Sequence, residues 1–289
     1  MVARAFAKLN LHLEVGGRRP DGFHEIRTLF QSIGLADRLT LTEAPSGLTL
    51  QVSPTGVLPE GPNLVLDALE LLRHSFQVER GARVRLWKRI PVGAGLGGGS
   101  ADAAAALLAG ARLWRLRLTP RRARALALRL GSDVPFFLRG GAAWMGGRGE
   151  KLISRPRLPR FLAVVAYPGF EISSGTSYRE LKRPLTSKCP EPRVSDYSFG
   201  VFADAQFVLH GSNDFEQKLL ARYSRLRKLK ATLSRCGARG VRLTGSGSAM
   251  FGVVADIRAA RALTHRVREA GFEAWTVRPV ERGIQVSGP

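Results

Sequence analysis

The chain has 289 residues, 44% of them hydrophobic and 24% charged, with a formal net charge of +22. That balance excludes a disordered or fibrous chain and suits one large domain or two moderate ones. Cys189 and Cys236 are too few for a disulfide framework and no run reaches the ~20 apolar residues of a membrane span, so a soluble, cytoplasmic protein is expected.

The first segment, MVARAFAKLNLHLEVGG, carries no signal-peptide pattern. Within it, residues 6–15 alternate. Leu9, Leu11, Leu13 and Val15 point one way, and Lys8, Asn10, His12 and Glu14 the other, which predicts a half-buried strand with a polar working face. GGRRPDGFHE (16–25) reads as a loop. Strand-like runs follow at 28–35, 38–43 and 48–53. Asn63 opens an amphipathic helix, and 82–90 alternates again as a strand. Ser100 to about Leu116 is helical, and Thr119-Pro120 caps a helix ending near Leu130.

Beyond Gly149 the pattern restarts. Residues 161–168 read as a buried strand, and a helix starts near Gly175. KRPLTSKCPEPRVSD (182–196) is a loop. Asn213 to Cys236 reads as one long helix, and VRLTGSGSAMFGVVA (241–255) as two strands joined by a Gly/Ser turn. A helix (256–270) and a strand, EAWTVRP, close the chain. The expected domains are 1–155 and 156–289.

Eight of the 45 basic residues are lysine and the rest arginine, densest over 111–130, where no acid offsets them. A single-stranded nucleic-acid surface interleaves aromatics with its arginines; this stretch has only Trp114. The charge therefore reads as basic surface helices with a secondary benefit for anionic substrates, and no nucleic-acid partner is expected.

PVGAGLGGGSADAAAAL (91–107) places five glycines in seven positions and then turns to alanine. Strand, glycine loop and helix start together make an anion site: bare N–H groups curl round a phosphate, and the helix dipole adds positive charge there. Ser100 is placed to cap the helix, or to contact a phosphate or a metal on it. Gly93, Gly95 and Gly98 formally match G-x-G-x-x-G, but the dinucleotide fingerprint wants an acid roughly 20 residues on, and none occurs between Asp102 and Asp133. The P-loop needs Lys before Ser, and here Gly99 precedes Ser100. This is a third kind of phosphate loop.

In LGSDVPFFLRGG (130–141), Asp133 reads either as a turn or cap aspartate or as a carboxylate that takes a proton from a hydroxyl. Lys8 is the cation placed to tune it, with Asn10 on the same strand face. TGSGSAMF (244–251) is a hairpin turn, or a second glycine loop closing a phosphate site from the other half.

PVGAGLGGGSADAA resembles the phosphate loop of the GHMP kinases, and LTGSGSAMFG their C-terminal glycine motif. AKLNLHLEVGGRRPDGFHEIRTLFQSI with GSDVPFFL is similar to the branch of that superfamily that phosphorylates a cytidine-diphosphate-linked polyol in non-mevalonate isoprenoid biosynthesis. The match runs in order from residue 3 to about residue 255.

The resemblance implies an α+β fold of two domains, the first ribosomal S5 domain 2-like and the second ferredoxin-like, with the site between them. It implies ATP as co-substrate, Mg²⁺ arriving with the nucleotide and no metal held by the protein alone. Lys8 and Asp133 would be the catalytic pair. Asn10, Phe23, His24 and Tyr178 would bind the acceptor, the two aromatics sandwiching the cytosine and His24 bonding it. Phe23 stands where many relatives carry Tyr, so a phenolic hydroxyl is lost. ATP would contact Asn63, Lys88, Pro91, Val92, Gly93, Ala94, Gly95, Leu96, Gly97, Gly98, Gly99, Ser100 and Ala101, with Gly245, Ser246 and Gly247 as the second loop. A homoserine or mevalonate type of kinase, or a non-catalytic basic nucleic-acid-binding protein, are the alternatives.

Overall fold

The computed structural model describes residues 1–57, 61–181 and 201–288. The alternating start grows into β1 (Val2–Arg18), and the next two runs merge into one 21-residue strand, β2 (His24–Ala44). The loop expected at 16–25 shrinks to a turn closed by the Arg19 N–H on the Phe23 carbonyl. β3 (Leu48–Ser53) follows. α1 (Leu64–Phe76) begins where Asn63 accepts from the Val65 N–H, and β4 (Gly81–Trp87) comes next.

α2 (Gly98–Leu113) starts two residues before Ser100. Gly97 holds its cap position at φ 72°, and no side chain caps it, so Ser100 is not the cap. Glycine adopts that left-handed conformation at little cost. α3 (Pro120–Leu130) is capped by Thr119 as expected. α4 (Val134–Phe137), β5 (Ala142–Gly146) and β6 (Lys151–Ser154) are too short to show a period in the sequence.

The second half runs β7 (Leu162–Tyr167), α5 (Ser174–Leu181), α6 (Val201–His210), α7 (Glu216–Arg222), α8 (Ser224–Arg235), β8 (Arg239–Leu243), β9 (Met250–Val254), α9 (Ile257–Glu269), β10 (Glu273–Val277) and β11 (Ile284–Ser287). The single helix expected over 213–236 is two. Tyr223 breaks it with extended backbone, and its ring lies 5.3 Å from that of Phe170. The loop expected at 182–196, with Cys189, lies outside the described residues.

The first sheet has the order β11-β1-β2-β4-β3, with β5 and β6 joined to β2. The second has the order β10-β7-β9-β8, every pair antiparallel, which is the ferredoxin-like arrangement. The sheets change over between β6 and β7, but β11 returns to pair with β1, so the end of the chain belongs to the first sheet. α1 and α2 cover the first sheet. The alanines of α2 from Ala103 to Ala106 are fully buried, and their small size lets the helix sit close.

β1 is not half-buried. Its leucine face packs on the second sheet, in a core that joins Leu9 and Leu11 to Val165 and Phe251. Its polar face is closed over by Thr244 and Ser212, so Lys8, Asn10 and His12 are buried too. Bulges between Phe6 and Lys8 and between Asn10 and His12 re-aim this stretch. Among the described residues no helix is long and apolar enough to cross a membrane.

Candidate active site

The loop between β4 and α2 is held from three sides. Lys8 N–H donates to the Leu96 carbonyl, Ala249 N–H to Ala94 and Ile172 N–H to Gly93. The loop touches the second glycine turn directly: a Cβ on Gly95 would lie 2.1 Å from the Thr244 carbonyl oxygen, and Gly95 sits at φ 77°. Only glycine fits there. A cavity of about 510 Å³ opens over the loop, lined by Asn63, Lys88, the whole of 91–100, and Gly245 and Ser246 from the other half. Gly247 and Ala101 lie outside that lining.

Lys8 projects into the same cavity. Its ammonium donates to Asn10 Oδ1 and to the Gly95 carbonyl at 2.9 Å, and stands 3.9 Å from Asp133 Oδ2. It lies 4.9 Å from the centre of the Phe30 ring. Burial pushes the Lys8 pKa down, and the Asp133 carboxylate opposes that shift. Asn10 is held in turn: its Nδ2 donates to Thr28 Oγ1 at 2.8 Å and its backbone N–H to Thr244 Oγ1 at 2.9 Å. Asp133 occupies the cap position of α4 but makes no side-chain cap bond, so its carboxylate is not spent on local structure. Its side chain is 30% exposed, against 4% for Lys8.

Lys88 is gripped rather than free. Its Nζ donates to Asp37 Oδ2 at 2.5 Å and to Asp102 Oδ2 at 2.7 Å, all three side chains being buried. Burial pushes the Asp102 carboxyl up, against the pull of the Lys88 ammonium.

A second cavity, about 830 Å³, lies beside the first. Phe23, His24, Tyr178, Ser132, Arg18, Arg148 and Arg179 line it. The His24 and Tyr178 rings stack at 5.2 Å and 16°, while the Arg148 guanidinium covers the Phe23 ring at 4.5 Å. Burial, and then the Asp133 charge, push the Tyr178 phenol up to about 12. Both cavities share Ser100, Asp133, Arg148, Ser174 and Tyr178.

The two cavities thus meet at one carboxylate, Asp133. The chain as a whole is similar to known proteins. Residues 63–141 match the GHMP kinases N terminal domain and residues 198–273 the GHMP kinases C terminal family. A 4-diphosphocytidyl-2-C-methyl-D-erythritol kinase from Pelotomaculum thermopropionicum is 42% identical over 271 residues, 93% of this chain and 94% of that one. This chain belongs to the same family of GHMP kinases. Another such kinase, from Solibacter usitatus, is 40% identical over 88% of this chain and 81% of its own. A crystal structure of 4-(cytidine 5'-diphospho)-2C-methyl-D-erythritol kinase superposes with TM-score 0.78 at 37% identity, covering 96% of this chain and 99% of that one. A homoserine kinase from Cytophaga hutchinsonii shares the fold, with TM-score 0.75 at 16% identity over 99% of this chain and 97% of its own.

As a GHMP kinase the protein is a small-molecule phosphotransferase with ATP as its co-substrate. The fold brings Lys8, Asn10 and Asp133 together, and gathers Phe23, His24 and Tyr178 round one cavity. Tyr178 stacks on His24, and Phe23 lines the same cavity. Sequence reasoning missed Thr28, Thr244, Asp37 and Asp102. Thr244 begins the TGSGS turn and was within reach of that motif. Asp37 lies between two strand-like runs, 28–35 and 38–43, where nothing marks an acid as buried. Trp114, the one aromatic of the arginine-rich stretch, is buried and cannot stack on a nucleic-acid base.

Proposed function

We propose that this kinase transfers the γ-phosphoryl group of ATP to the 2-hydroxyl of 4-diphosphocytidyl-2-C-methyl-D-erythritol in one in-line step. The observation that carries the reading is that Asp133 lines both cavities while standing 3.9 Å from Lys8. A donor over the glycine loop and an acceptor against Phe23, His24 and Tyr178 would meet at that carboxylate.

In this reading the loop N–H groups and the α2 dipole hold the triphosphate. Asp133 orients the acceptor hydroxyl and takes its proton as the oxygen attacks the γ-phosphorus. The bond to the β-phosphate oxygen breaks and ADP leaves. The Lys8 ammonium, 3.9 Å from Asp133, offsets negative charge at the transferred group. Asn10 and Gly95 fix where that ammonium points. Phe23 offers a π-face to the cytosine, and Arg148 covers one side of that ring.

Among the described residues no three His, Cys, Asp or Glu side chains gather to hold a metal ion. That suits Mg²⁺ ligated chiefly by phosphate oxygens and water and brought in with the nucleotide. The Ser100 hydroxyl is the loop group placed to reach it. When bound, it would supply positive charge against the triphosphate.

The test is ADP release with ATP, Mg²⁺ and the cytidylyl polyol, against acceptors lacking the cytidine, with Asp133→Asn alongside. Turnover that needs the cytidine and falls by about 10²-fold or more in Asp133→Asn supports the reading. Turnover only with other alcohols overturns the acceptor assignment. Salt-sensitive RNA binding without ADP release overturns the enzyme reading.

A further inference from the structure

The Asp37–Lys88–Asp102 cluster lies beneath the glycine loop and takes no part in the transfer described above. Asp37 is fully buried and lines neither cavity. Its Oδ1 accepts the Arg89 N–H at 2.5 Å and the Ile90 N–H at 2.9 Å, the last backbone donors before the loop begins at Pro91. Its Oδ2 accepts Lys88 Nζ at 2.5 Å. The same ammonium reaches Asp102 Oδ2, at 2.7 Å, in the first turns of α2. One buried lysine thus ties the strand exit before the loop to the helix that follows it.

The helix start rests directly on this tie. A Cβ at Gly98 would lie 3.0 Å from Ile90 Cγ2 and 3.3 Å from Lys88 Nζ. The cluster is unfinished on its cavity side. Lys88 and Asp102 both line the cavity, and the buried Asp102 Oδ1 has no hydrogen-bond partner. An ammonium carries three N–H donors, and two point at carboxylates. A buried ion cluster is a poor source of stability, because apolar residues of the same volume do as well or better. Its retention here asks for a task other than stability.

We propose that Asp37 is a positioning residue for the nucleotide, acting through Lys88 and the 88–90 strand exit to fix the glycine loop and the Lys88 ammonium against ATP. The proposal rests on reading the glycine-loop cavity as the nucleotide site. Asp37→Asn is the informative change. The amide oxygen keeps the two backbone bonds, but its NH₂ meets the Lys88 ammonium donor to donor, so the lysine is released while the shape is kept.

Binding of a non-hydrolysable ATP analogue is measured by calorimetry for the wild type, Asp37→Asn, Asp102→Asn and Ser100→Ala, with thermal unfolding of each and KM for both substrates. The expected result for Asp37→Asn is analogue affinity and ATP KM worse by about tenfold, with the acceptor KM within about twofold. A folded Asp37→Asn with unchanged analogue affinity, or with both KM values raised in parallel, overturns the proposal. If Ser100→Ala weakens the analogue while Asp37→Asn does not, the nucleotide site stands and the positioning role falls. If none of the variants affects the analogue, the nucleotide reading falls with it. Should Asp37→Asn fail to fold, Asp37→Ser, which is smaller and uncharged, decides by the same criteria.

Discussion

The Asn10 N–H donates to Thr244 Oγ1 at 2.9 Å, a bond that spans 234 residues of sequence. It joins β1 of the first sheet to the turn after β8 in the second. Thr244 thereby sets the strand from which Lys8 and Asn10 enter the cleft. Thr244→Val keeps the shape and strands a buried N–H, at a cost of about 1–3 kcal/mol. Urea unfolding should show that loss, and kcat should fall about tenfold with the ATP KM little changed, since the strand carrying Lys8 is no longer pinned. Unaltered kcat in a destabilised variant would mean that Thr244 serves only the fold.

Gly95 in the loop and Gly99 in the first turn of α2 should respond differently to the same methyl group. Gly95→Ala puts Cβ 2.1 Å from the Thr244 oxygen at a positive φ, and should lower stability by about 1–3 kcal/mol and abolish nucleotide binding. Gly99→Ala meets only Leu64 Cδ1, at 3.8 Å, and should leave the melting temperature within a degree or two. Thermal unfolding of the pair tests whether the loop's contact with the second glycine turn is real in solution.

Phe23 is 51% exposed in the second cavity, which the proposed function assigns to the acceptor, and core packing would leave it less so. Stacking of a base on an aromatic ring is worth about 1–3 kcal/mol. Phe23→Ala should therefore raise the acceptor KM about tenfold and leave the ATP KM alone. Steady-state kinetics with each substrate varied in turn separates the two. A larger effect on ATP would move Phe23 out of the acceptor site.

Burial lowers the Lys8 pKa from 10.5, with Asp133 pulling it back. The native state then gives up this proton more readily than the unfolded chain. Between the native pKa and 10.5 the unfolded chain holds more protons, so the Lys8 contribution to stability rises with pH in that window. In the proposed mechanism activity runs the other way, because a neutral amine no longer offsets charge on the phosphoryl group. The kcat profile at saturating substrates should show an alkaline limb with its midpoint below 10.5. A flat profile up to that pH would remove the Lys8 charge from the mechanism.

Local chemistry made much of the protein legible. Alternation in β1, the Asn63 and Thr119 caps, the glycine loop and the alanine helix each follow from a few neighbouring residues, and the motifs on them carried the family. What the sequence hid is non-local. The burial of both faces of β1 depends on a second sheet more than 150 residues away. The break at Tyr223 comes with a ring partner, Phe170, from the loop after β7, and β11 pairs with an edge that β1 leaves free. Asp37 has no flanking signal because its partners, Lys88 and Asp102, come from a different strand and a helix. Hydrophobic period, caps and turns act within a few residues and are written locally; the site's charges are set by which elements pack together, and that is decided only when the core closes.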